Sequence, residues 1–134
     1  MNFQCIYLII VFVSFILEQS KSPCKYLTYQ SILLSFIHHT ISNYSYFGSL
    51  LFGYHKFHLL FLFSVFIGWV LMYKFGYKFT CILTYYYNNL CGFDKYAHFN
   101  DIVYYIRRAL NIKKPSTIGY IIVLVYDILT IYKS

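Results

Sequence analysis

Apolar positions gather into four runs separated by polar and basic stretches. The first, residues 3–17, closes at Glu18-Gln19-Ser20-Lys21; the second, residues 31–52, is less greasy. The third, residues 57–73, reads FHLLFLFSVFIGWVLMY and is the most uniformly apolar, and the fourth covers residues 118–132. A hydrocarbon core ~30 Å thick takes ~20 helical residues, so the runs predict three or four transmembrane helices. The expected fold is all-α: one small polytopic membrane domain. Gly53-Tyr54-His55-Lys56 suffices for a tight turn, so the second and third runs predict an antiparallel helical hairpin at the centre. The first run reads as a retained span rather than a cleaved signal peptide. It has no Lys or Arg ahead of it, and cleavage after Ser22 would leave Pro23 as the new terminus.

The polar residues of the second run are ordered. Ser31, Ser35, His38, Ser42, Ser45 and Ser49 follow one another at spacings of 4, 3, 4, 3 and 4, which places them on one helical seam. Small hydroxyl residues let helix backbones approach closely in lipid and bond across the contact. A hairpin turning at 53–56 sets Ser45 opposite Ser64 and Ser42 opposite Gly68, a small-xxx-small pair in register with the seam. The seam is therefore expected to pack helices. Its alternative use is to line a polar pore in an oligomer.

Charge changes the picture mainly at residues 74–117, where Lys74, Lys78, Lys95, Arg107, Arg108, Lys113 and Lys114 face only Asp94 and Asp101. If this basic loop is cytoplasmic, residues 18–30 with Lys21 and Lys25 share its side. Nine Lys/Arg then lie inside against Lys56 and Lys133 outside, as positive-inside orientation requires. Within the loop, residues 101–110 place Ile102, Val103, Ile106 and Leu110 on one face of an amphipathic helix, with Asn100 as its expected cap. Arg107, Arg108, Lys113 and Lys114 then suit anionic lipid headgroups or an acidic partner, although packing of this helix on the bundle is an equal alternative. The whole chain carries +7 at 24% aromatic and 60% hydrophobic residues. Its bases flank apolar runs instead of decorating a soluble surface, so no nucleic-acid partner is expected. The Tyr85-Tyr86-Tyr87 tract fits the tyrosine enrichment of membrane boundaries.

Candidate chemistry is sparse. The sequence holds no paired carboxylates, no Gly-x-Ser-x-Gly, no phosphate loop and no His-Glu-x-x-His, so no enzyme activity and no cofactor is expected. Cys5, Cys24, Cys81 and Cys91 form no CxxC and no Cys/His pair at zinc spacing, so no metal is expected. Cys81 or Cys91 with His98 is a generic thiol–imidazole pairing. Asn43-Tyr44-Ser45 is a formal glycosylation triplet that the hairpin buries. Asp127 is the only acid inside an expected span, and an intramembrane carboxylate marks a candidate functional site. The topology brings it near the turn, with His58 or Lys56 as its natural partner. His58, Trp69 and Cys81-Ile82-Leu83-Thr84, followed by Asn88, resemble a His…Trp…Cys-x-Leu-Thr pattern in small multi-span membrane proteins, some from large DNA viruses. That resemblance implies a membrane fold and no particular activity. The sequence thus predicts a non-enzymatic integral membrane protein, a structural or interaction subunit forming homo- or hetero-oligomers through its transmembrane helices. The alternative is a small oligomeric channel or transporter-like protein using the seam and Asp127.

Overall fold

A computed structural model of the chain describes residues 2–97, 99–113 and 117–134. Among the described residues the chain is all helical, with α1 (Phe3–Lys21), α2 (Tyr29–Phe52), α3 (His55–Lys74), α4 (Ile82–Cys91), α5 (Ile102–Ala109) and α6 (Thr117–Lys133). Local chemistry sets the boundaries. Thr28 and Ser31 form a reciprocal capping box at the start of α2, the Thr28 hydroxyl accepting the Ser31 N–H at 3.2 Å and the Ser31 hydroxyl accepting the Thr28 N–H at 2.9 Å. Gly53 ends α2 with φ of 73°, a left-handed conformation that a side chain would strain. The connection is therefore only Gly53–Tyr54, and His55 and Lys56 belong to the first turn of α3 rather than to the turn. The cap of α5 is Asp101, which accepts the Tyr104 N–H at 2.8 Å. Asn100, expected in that role, instead donates to the Ser22 hydroxyl at 2.9 Å.

α2 is the central element, packed against α1, α3, α4 and α6, while α3 and α6 pair along their length. The seam is buried along its whole length, with Ser35 and Ser45 fully enclosed. Its partners differ from the expected ones. Ser35 bonds Glu18 of α1, Ser42 bonds Asp101 at the head of α5, and His38 meets Thr84 of α4. Ser64 is exposed and its hydroxyl returns to the Leu60 carbonyl, and Gly68 faces open space. Neither contributes to the hairpin interface. The inward row of α3 is His58, Leu62, Val65, Trp69 and Met72, turned one residue, ~100°, from the row expected.

Polarity is inverted. Among the described residues, fourteen buried side chains are polar and seven are apolar, whereas Leu8, Phe12, Leu60, Phe63, Ile122 and Leu129 are among many exposed apolar ones. α1 and α3 are long and apolar enough to cross a membrane. α2, with 24 residues, carries the polar seam, and α6 has 17. A disulfide joins Cys24, ahead of α2, to Cys91 at the end of α4, with Cα atoms 4.7 Å apart. The Lys25 N–H donates to the Cys91 carbonyl beside it at 3.0 Å.

Candidate functional site

Two carboxylates lie inside the helix bundle, each against histidine. Asp127 of α6 is fully buried, its Oδ2 2.5 Å from His58 Nδ1 and its Oδ1 2.9 Å from His55 Nδ1. His58 Nε2 is 2.8 Å from the Tyr44 carbonyl, which only accepts, so Nε2 carries a proton and donates. One further proton must then sit between Nδ1 and Oδ2, on the imidazole as an ion pair or on the acid as a neutral one. The three residues come together because α3 begins immediately after the short link, placing His55 and His58 on one face three residues apart. Lys56, the other expected partner, is exposed.

The second centre was not expected. Glu18, which reads in sequence as the end marker of the first run, is enclosed against α2. Its Oε2 accepts the Ser35 hydroxyl at 2.7 Å and lies 2.8 Å from His39 Nε2. Asn43, one turn further, donates to the Ser14 hydroxyl at 3.1 Å and to the His39 carbonyl at 2.8 Å. Val11, Ser14 and Glu18 repeat at 3 and 4, and His39 and Asn43 are 4 apart, so helical spacing could have revealed the face they share. Tyr87 of α4 receives the Gln19 amide at 3.2 Å. Burial, with Glu18 nearby, pushes its phenol up to about 12. His39 and Tyr44, which carry the two centres, are five residues apart on α2, ~7.5 Å along its axis. The polar interior thus holds two hydrogen-bonded clusters, Glu18 with Ser35 and His39 followed by Asn43 with Ser14, and the Tyr44 carbonyl with His58, His55 and Asp127, which meet where Asn43 and Tyr44 adjoin on α2.

A cavity of about 390 Å³ opens at the α4 and α5 end, lined by His38, Ser42, Cys81, Thr84 and Asp101 among others. The His38 ring lies against Phe99, tilted by 46° with ring centres 3.7 Å apart, and its Nε2 is 3.4 Å from the Thr84 hydroxyl. Burial raises the Asp101 carboxyl above the usual range, and the Tyr104 N–H and Ser42 hydroxyl oppose that. Cys91 is committed to its disulfide, which removes it from any thiol–imidazole pairing, and Cys81 is free. His98 lies outside the described residues, as do Lys114 and Ser116. No group of three His, Cys, Asp or Glu side chains among the described residues is placed to hold a metal ion. Of the residues expected at lipid headgroups, Arg108 and Lys113 are exposed and Arg107 is half-buried. Comparison with protein-family models, curated proteins and solved structures found no match for this chain.

Proposed function

We propose that the chain is a multi-pass membrane protein, crossed by α1, α2, α3 and α6, that passes protons along its polar interior in the manner of a small channel or transporter. The inverted polarity supports the membrane reading, because hydrocarbon rather than water stabilises an apolar exterior over a hydrogen-bonded interior. The proton reading rests on one observation, the Asp127 carboxylate fully buried in α6 against the His58 and His55 imidazoles. A carboxylate at such a position is expensive to keep, and pairing with histidine gives it two protonation states of similar geometry. Proteoliposomes holding a potassium gradient and an internal pH dye, with valinomycin added, provide the test. Proton uptake above that of empty vesicles is expected, abolished by Asp127→Asn and by His58→Gln and untouched by Ser64→Ala. Absence of uptake, or an unaffected Asp127→Asn, removes the proposal.

A second reading, a structural subunit gripping anionic lipid or an acidic partner, draws support from α5. Ile106 and Leu110 are exposed there beside Arg108 and Lys113, the arrangement of a helix resting on headgroups. In that reading assembly with other chains uses the outer apolar faces, since the serine seam is filled from within the chain.

A further inference from the structure

The cavity at the α4 and α5 end adjoins a second one of about 370 Å³, and the two share Trp69, Phe79 and Tyr120 as a common wall. The second is purely apolar and aromatic, a groove between α3 and α6 with Leu62 and Phe66 on one side and Ile121 and Leu124 on the other. Its direction follows from the helices. Trp69 lies five residues before Lys74 at the basic end of α3, and Leu62 and Leu124 lie near the middle of their helices. The groove therefore runs from mid-span to the basic end, where it meets the polar cavity.

Two residues lining the polar cavity each carry a buried polar atom that is not hydrogen-bonded among the described residues. Trp69 Nε1 and His38 Nδ1 are buried with no hydrogen-bond partner among the described residues, and His38 is only 7% exposed. An indole N–H can only donate, so it calls for an acceptor. Lys78 brings a positive charge to the same cavity, its ammonium 4.9 Å from the centre of the Tyr96 ring. Asp101 is the acid there, and its two oxygens are already engaged by Ser42 and by the Tyr104 N–H. An acceptor-bearing anionic head beside an apolar groove of about 370 Å³ suits an amphiphile with one chain.

We propose that the two cavities form one binding site for a long-chain fatty acid, its carboxylate at Trp69 and Lys78 and its acyl chain between α3 and α6. The site rests on the membrane reading but is independent of proton passage. Its test reads binding, so failure of one leaves the other standing. Purified full-length protein in detergent is titrated with a palmitate analogue carrying a photoreactive group on its chain, and the labelled peptides are mapped. Labelling is expected to saturate, to fall on residues 62–66 and 121–124, and to be displaced by palmitate far better than by hexadecanol. Leu124→Trp should fill the groove and remove the labelling. Lys78→Gln, away from the helix contacts, should weaken palmitate several-fold and leave hexadecanol unchanged, and Trp69→Phe, which deletes the N–H and keeps the ring, should weaken palmitate several-fold. Labelling that never saturates and ignores Leu124→Trp overturns the site as ordinary solvation by lipid. Equal displacement by hexadecanol, or displacement by lysophosphatidylcholine in place of palmitate, overturns the carboxylate assignment. Helicity by circular dichroism separates loss of binding from loss of folding in the tryptophan variant.

Discussion

Asp101 serves two elements at once, capping α5 through one oxygen and holding Ser42 of α2 through the other. Burial raises its pKa, so the fold favours the acid form. The stabilisation this gives is complete below the ordinary aspartate value of about 4 and is lost as pH rises through the raised one. Asp101→Asn keeps a capping acceptor and cannot ionise. Its thermal midpoint in detergent is expected to stay level through the pH interval in which that of the parent chain declines, and parallel curves would refute the assignment. Asp127 stands out in the sequence because it interrupts an apolar run, and topology alone narrows its partners to the neighbourhood of the turn. Glu18 is marked only by its helical spacing from Val11 and Ser14, and its place in the run points the other way. It falls where an apolar run gives way to polar residues, and a carboxylate there reads as the start of solvent.

The positions of α1, α2, α3 and α6 followed from apolar run length, and the seam of α2 from its spacing, but the occupant of that seam did not. Periodicity says that a face is covered and is silent on what covers it. Chain adjacency suggested α3, whereas Glu18, Thr84 and Asp101 supply the hydrogen bonds that serine and histidine need once buried. α3 instead turns His58 towards α6. Two glycines report this rotation. A Cβ at Gly48 would stand 2.7 Å from the Tyr44 ring and 2.9 Å from the His58 ring, whereas one at Gly68 would meet nothing within 4 Å. Gly48→Ala is expected to destabilise the protein by about 1–3 kcal/mol through overpacking. Gly68→Ala should be neutral or gain up to about 1 kcal/mol of helix propensity. Thermal denaturation of the two variants measures the difference, and the reverse order would restore the Gly68 interface. α4 escaped sequence reading as a packed helix because its ten residues carry tyrosines and asparagines in place of an apolar stripe.

For the whole molecule, two features of the same end assign it opposite surroundings. On the proposed membrane topology the nine Lys/Arg at this end, against two at the other, are those of a cytoplasmic face, while the Cys24–Cys91 bond belongs to an oxidising compartment. Maleimide labelling of membranes under thiol-free conditions is expected to modify Cys5 and Cys81 directly and Cys24 and Cys91 only after reduction. Direct labelling of all four would leave the pair open and the basic loop on the reducing side. The placement of the acids along the chain also imposes an order on synthesis. Glu18 and His39 belong to the first two helices and meet as soon as those two have been made and can pack. His55 and His58 follow soon after but wait without a carboxylate until Asp127, in the last helix, leaves the ribosome. At ~5–20 residues per second that wait lasts several seconds. The amino-terminal half therefore settles around its own acid, and the arrival of α6 supplies the carboxylate that the two histidines of α3 lack.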